Sequence, residues 1–311
     1  MGTVPSKKNQ DEENPSLPES FNALFTLSRD TDHRPIELGR GAFSTVYLCE
    51  RNGRVTQKCA AKHFDLDKLR RIAAKHDKMS HAAKHSKKLD AALSNTRRGL
   101  QVLLNFSGHD SIIKLLNIFD VPGQNLISIM EYAEGGELYN MITARTQIME
   151  EEAQSILMQI CSGVVFLHEM GSVHRDIKAE NICLVGQKWK LCDFGFACDF
   201  INNDDTMSTL CGTRGYAAPE VFFGKPYQAK LIDVFSLGVL SHMIMGGYLP
   251  FKDGGVNIIF HPERWSNVSE IAKDFVRQCV QHSTSKRMKS EDMLKHDFLI
   301  SGGCCEIKTK I

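Results

Sequence analysis

The sequence predicts an α+β fold in which a strand-rich N-terminal part precedes a larger helical part. Three observations carry that expectation. Alternating and β-branched runs occupy Ile36 to Phe64 and return from Asn125 to Met130. From Glu150 the apolar spacing becomes helical, with Ile156, Ile160, Val164 and Leu167 on one face of a helix reaching Met170. A chain of 311 residues holds one large domain or two small lobes and has ample apolar content for a core.

Composition narrows the function classes. A formal net charge of +1 argues against a globally electrostatic nucleic-acid binder. The ten cysteines lack metal-ligand spacing; with no signal peptide in view they read as reduced cytosolic thiols, mostly core filler. The longest apolar stretch, Leu231 to Phe251, contains Asp233, Ser236, Ser241 and His242 and reads as a buried helix rather than a membrane span.

Residues 1–33 are polar, contain Pro5, Pro15 and Pro18, and show no apolar periodicity, so they read as a disordered arm. The run Met1-Gly2-Thr3-Val4-Pro5-Ser6 fits the pattern for myristoylation of Gly2, and Lys7-Lys8 follow it. One acyl chain holds a membrane marginally, and each lysine adds about 1 kcal/mol on an anionic leaflet. Asp11, Glu12 and Glu13 oppose that attraction. The expected location is cytoplasmic, with reversible membrane contact through Gly2.

Leu38-Gly39-Arg40-Gly41 to Leu48 reads as a strand, a glycine turn and a second strand, and Asn52-Gly53 signals the hairpin into a third strand, Cys59 to Phe64. A Gly-x-Gly by itself is more often a turn than a phosphate site. Residues 65–98 read as a helical insertion rich in Ala, Leu and Lys. That segment is a solvated basic helix or a docking face for an acidic, phosphate-bearing lipid or calmodulin-like partner.

The chemistry concentrates between Ser172 and Cys198. His174-Arg175-Asp176-Ile177-Lys178 leads to Glu180-Asn181, and after a short hairpin comes Asp193-Phe194-Gly195. Both blocks, in this order behind a glycine turn and an Ala60-Ala61-Lys62 strand, resemble the eukaryotic-type serine/threonine protein kinases. Gly212-Thr213-Arg214-Gly215-Tyr216 to Glu220, and Trp265 to Ser269, favour the calcium/calmodulin-dependent group.

The resemblance implies a bilobal protein kinase fold over residues 34–300, with an N-lobe over 34–131 carrying the insertion, a C-lobe over 134–300 and a short tail over 301–311. It implies ATP and Mg2+. Leu38, Gly39, Gly41, Val46, Ala60 and Lys62 would receive ATP, with Glu131 and Ala133 on the adenine edge and Glu137 facing the ribose or a basic substrate side chain. Asp176 would accept the hydroxyl proton, Lys178 would neutralise the moving phosphate, and Asn181 and Asp193 would hold metal. Thr213 would brace Asp176 and Lys178, and Thr209 matches a position phosphorylated in relatives. Glu220 should pair with Arg287, and Asp233 should bond the catalytic-loop backbone. Glu137 and Glu180 resemble the acids that select arginine or lysine ahead of the target Ser/Thr, so protein substrates with basic flanks are expected.

One departure bears on activity. No glutamate occurs from Arg51 to Met130, and the slot of the family's Lys62-pairing glutamate falls at or close to Leu100. Asp90 lies ten residues earlier, about 15 Å along a helix. A second reading therefore stands beside the enzyme: a pseudokinase, serving as an ATP-binding scaffold or allosteric partner.

Overall fold

Six strands of the computed structural model form one antiparallel sheet: β1 (Phe25–Leu27), β2 (Glu37–Arg40), β3 (Thr45–Arg51), β4 (Gln57–Asp65), β5 (Leu115–Val121) and β6 (Asn125–Glu131). The structure describes residues 15, 17–41, 44–66, 82–121, 123, 125–145, 147–200, 206–223, 226–252 and 257–301. The strand order is β1-β3-β4-β6-β5, and β2 also pairs with β3. β1 lies against the end of β3, with Leu27 opposite Cys49, while β2 lies against its start, with Arg40 opposite Thr45.

The alternation along β4 sorts its side chains. Cys59, Ala61 and His63 are buried, while Ala60 and Lys62 are half-buried on the other face. Cys49, Cys59, Ala61, Ile127 and Ile129 share a core cluster with Phe21, Phe25, Leu27 and Phe119.

This cluster corrects the expectation of a disordered arm over 1–33. Residues Glu19–Leu24 form the short helix α1, which runs directly into β1. Phe21, Phe25 and Phe119 hold one another at ring-centroid distances of 5.6 to 6.0 Å. Three aromatic side chains bury enough area to order a stretch that shows no periodicity. Residues 1–14, with Gly2, lie outside the described residues.

The chain divides into two compact units, 1–92 with 115–132, and 93–114 with 133–311. The helix α2 (Ala82–Phe106) runs through that division. Within the second unit its buried apolar side chains are Leu93, Leu100, Val102, Leu103 and Phe106. Phe106 meets Phe166 edge-on at 5.8 Å, and His109 stacks on the same ring at 4.6 Å. Residues 67–81 of the basic insertion lie outside the described residues.

The second unit is otherwise built on α3 (Leu138–Arg145), α4 (Glu150–Glu169), α5 (Ala229–Gly246), α6 (Pro262–Trp265), α7 (Glu270–Cys279), α8 (Ser290–Met293) and α9 (Asp297–Ile300). α5 is long and apolar enough to cross a membrane, yet 89% of it is buried in this fold, so its apolar residues serve as core. Burial pushes the thiols of Cys49 and Cys161 up to about 12, which leaves both protonated near neutrality.

Two buried ionic anchors fix the loops of this unit. Glu220 pairs with Arg287, as the sequence predicts, at 2.5 and 3.0 Å in a bidentate fork. Arg287 also donates to the carbonyls of Leu231 and Gln281, both at 2.9 Å. Asp233, on α5, is fully buried and accepts the backbone N–H groups of His174 at 2.9 Å and Arg175 at 2.7 Å. It also lies 2.9 Å from His168 Nε2. Burial pushes the Asp233 carboxyl upward, but the hydrogen bond and charge of His168, with the His174 contacts, outweigh it and leave the group below its usual range.

Because the folded-state value is the lower one, the carboxylate's contribution is complete above about pH 4 and is lost as pH falls through the depressed value. Asp233→Asn is expected to cost about 3 kcal/mol at pH 7 and to flatten the acid limb of stability. Denaturant unfolding at several pH values checks this. A variant as stable as the parent at pH 7 contradicts the role given to Asp233.

Candidate active site

A residue with positive φ opens the site. Arg175 sits at φ 67, a backbone state that L-residues rarely adopt and that costs about 1–3 kcal/mol. The Asp233 bonds to the amide of Arg175 itself and to that of His174 hold it there. The turn brings Asp176 inward, where its side chain is 7% exposed.

Three donors surround that carboxylate. Thr213 Oγ1 donates to Asp176 Oδ1 at 2.8 Å, Asn181 Nδ2 donates to Oδ2 at 3.0 Å, and Lys178 Nζ lies 3.1 Å from Oδ2. Lys178 Nζ also donates to Thr213 Oγ1 at 2.8 Å, so the four side chains form one network. Asn181 Nδ2 bonds the Asp176 carbonyl at 2.8 Å as well. With its nitrogen committed, Asn181 presents Oδ1 as its donor atom for a hard cation.

The second acid joins through the hairpin of β7 (Ile182–Val185) and β8 (Lys188–Leu191). The N–H of Cys192 donates to the Asn181 carbonyl at 2.8 Å. His174 Nδ1 accepts from the Asp176 amide at 3.3 Å, which leaves the proton on Nε2, 2.9 Å from the Cys192 carbonyl. Asp193 follows at φ 54, its carboxylate exposed and one oxygen accepting from Gly195 N–H at 3.2 Å. Phe194 is buried edge-on against the His174 ring at 4.9 Å.

Glu137 and Glu180 come together beside this loop. Gly135 and Gly136 exchange main-chain bonds with Leu184 at 3.1 and 2.9 Å, and Glu137 bridges to Cys183. Burial first, then the charge of Glu180, raises the Glu137 carboxyl above its usual range, with Lys178 opposing. Glu180 Oε2 is buried with no hydrogen-bond partner among the described residues. Two carboxylates close enough for one to raise the other, one with an oxygen that lacks a partner among the described residues, make an acceptor set for a cationic side chain.

Of the other predicted residues in this unit, Ala133 lies at its start and its carbonyl accepts the Gly136 amide at 3.2 Å. Thr209 is exposed, and its carbonyl accepts from Tyr227 Oη at 2.6 Å. Arg175 donates through Nε to the Phe196 carbonyl at 2.7 Å, and its guanidinium lies 3.6 Å from Met207 Sδ.

Within the first unit, pairing gathers the predicted nucleotide-binding residues. Leu38 and Gly39 lie on β2, Val46 on β3, Ala60 and Lys62 on β4, and Glu131 ends β6. Val46 faces Gly39 and Lys62 across the ladders, Ala60 faces Met130, and Glu131 faces Cys59. The Gly41 amide donates to the Ser44 carbonyl at 2.8 Å, closing the turn; Ala42 and Phe43 at its tip lie outside the described residues. Lys62 Nζ sits 5.7 Å above the Phe64 ring.

Sequence reasoning passed over His168, the side-chain partner of Asp233. Its only sequence signal is a basic residue in the last turn of a helix, which ordinarily offsets the helix dipole. Glu134 was also passed over; its carboxylate accepts the Gly186 amide at 2.7 Å and ties the β7–β8 turn.

Comparison with known proteins agrees with this geometry. Residues 33–299 match the family described as the protein kinase domain. The chain is 31% identical over 288 residues to calcium/calmodulin-dependent protein kinase type 1 of Caenorhabditis elegans, covering 88% of this chain and 75% of that one. It is 33% identical over 279 residues to myosin light chain kinase A of Dictyostelium discoideum, covering 85% and 86% respectively. The chain belongs to the protein kinase family and is an ATP-dependent serine/threonine kinase of the eukaryotic type, similar to the calcium/calmodulin-dependent group.

Proposed function

We propose that this kinase transfers the terminal phosphoryl group of ATP to serine or threonine in protein segments with basic residues ahead of the target. The network around Asp176 carries the reading. An acid held by Thr213, Asn181 and Lys178 is fixed in direction, so it can orient a substrate hydroxyl and take its proton at a carboxylate oxygen. Lys178, bonded to both Asp176 and Thr213, would offset charge on the moving phosphoryl group.

The donor set suits magnesium. Asn181 and Asp193 offer hard oxygens, few enough to leave room for phosphate oxygens and water. When bound, the metal neutralises phosphate charge and aligns the nucleotide for in-line transfer. Leu38, Gly39, Gly41, Val46, Ala60 and Lys62, with Glu131, Ala133 and Glu137, are the residues proposed to receive ATP.

Magnesium-ATP and a basic peptide should yield phosphopeptide with the parent protein, and Asp176→Asn should lower kcat by at least about 100-fold, the scale of a lost general base. Equal signal from both proteins removes the kinase reading. ATP binding without turnover in either favours the pseudokinase alternative, whose specific support is the absence of glutamate from Arg51 to Met130.

The basic preference rests on Glu137 and Glu180. Replacing either by Gln is expected to raise KM for an arginine-containing peptide about 10- to 100-fold with little change in kcat, the worth of one charge-assisted bond. Because the Glu137 carboxyl is raised, it loses its charge at a higher pH than an ordinary glutamate. KM for the basic peptide should therefore rise on acidification earlier in the parent than in Glu137→Gln. Identical pH profiles of KM contradict the assignment.

Regulation is proposed at three places. Phosphorylation of Thr209 would add about two negative charges to the segment near Arg175; an equally active Thr209→Ala protein removes that role. The basic insertion is the proposed docking face for an acidic or calmodulin-like partner, and deleting roughly residues 66–95 should abolish regulation by it. Myristoylation of Gly2 would give reversible membrane contact, and equal membrane partitioning of Gly2→Ala and the parent would end that proposal.

A further inference from the structure

Gly99 lies in α2 and is buried. Its backbone is helical, outside the positive-φ region that favours glycine. In the interior of a helix glycine is less favourable than alanine, so conformational freedom does not explain its presence. Space does. A Cβ built on Gly99 would fall 1.8 Å from the carbonyl oxygen of Phe194 and 2.7 Å from its carbonyl carbon. The obstacle is main chain, which no rotamer change can clear.

That carbonyl belongs to the turn carrying Asp193. The Phe194 oxygen accepts the Ala197 amide at 2.9 Å, and Asp193 just before it holds φ 54. The His174 ring also packs edge-on against the Phe194 side chain at 4.9 Å. Helix and ring together leave the Phe194 peptide little room to rotate. The nitrogen of that same peptide is Gly195 N, whose N–H donates to the Asp193 carboxylate at 3.2 Å, so its rotation would break the bond that aims the carboxylate.

We propose that Gly99 is a positioning residue for phosphoryl transfer: the main chain of α2 bears directly on Phe194 and sets the direction of the Asp193 carboxylate. The proposal rests on the reading of Asp193 as a metal ligand. It assigns this segment, which has no glutamate, a different means of acting on the site: backbone-to-backbone contact instead of an ion pair.

Gly99→Ala tests it. The added methyl must push the helix away or turn the Phe194 carbonyl, breaking its bond with the Ala197 amide. Hydrogen exchange of the Ala197 amide in metal-free protein should accelerate at least tenfold. The magnesium concentration for half-maximal transfer should rise severalfold and kcat should fall at least tenfold, with ATP affinity measured without magnesium within twofold of the parent. Gly238→Ala is the structural control. Its added Cβ would meet Cys279 Cβ at 2.5 Å, elsewhere in the same unit, so it should lower Tm while leaving Ala197 exchange and magnesium half-saturation unchanged.

A folded Gly99→Ala protein with the parent's Ala197 exchange or the parent's magnesium half-saturation overturns the proposal. If Gly99→Ala does not fold, Leu103→Ala loosens the next turn of the same helix from its 2% exposed position. It should then shift both readouts in the same direction, and a fall in Tm alone overturns the proposal. Asp193→Asn separates the two levels. If it leaves transfer and magnesium dependence unaltered, the metal-ligand reading fails; if it abolishes transfer while Gly99→Ala is silent, only the role of Gly99 fails.

Discussion

A single buried carboxylate underlies the geometry of the catalytic loop. Asp233 accepts the amide of His174 and that of the strained Arg175 itself, and a third contact comes from His168. Without those bonds the left-handed turn at Arg175 would relax and Asp176 would lose its inward direction. Desolvating an acid this completely is expensive, and hydrogen bonding from three sides keeps it ionised. The loop thus draws its shape from α5, a helix otherwise given over to core packing.

Above that anchor the charged side chains restrain one another. Asp176 meets an amide, a hydroxyl and an ammonium group, and Lys178 reaches both the acid and Thr213. A preorganised network of this kind avoids reorganisation during the reaction, where misplacement by about 1 Å costs on the order of 100-fold in rate. The acidic pair Glu137 and Glu180 is balanced differently. Its mutual repulsion and orphaned oxygen remain within the chain, a condition that an incoming cation relieves.

The catalytic loop was legible because its chemistry is local. Asp176, Lys178 and Asn181 lie within six consecutive residues, and one hairpin separates them from Asp193. The strand pattern around Lys62 was legible for the same reason, since alternation and the Asn52-Gly53 turn are short-range signals. What escaped depends on contacts distant in sequence. Phe21 and Phe25 are ordinary residues of a polar arm until Phe119 arrives from β5. His168 looks like a helix-terminal base until α5 brings Asp233 beside it. Gly99 reads as a weak point in a helix, and only the approach of Phe194 shows why no larger residue fits.

The central claim is that these restraints make a working phosphoryl-transfer centre without a glutamate between Arg51 and Met130. Enzyme-excess, single-turnover transfer from labelled magnesium-ATP to an arginine-containing serine peptide addresses it most directly, because product release drops out. First-order appearance of one phosphopeptide per ATP bound is the predicted result. A protein that binds all the ATP and returns it unreacted over many minutes would contradict the claim.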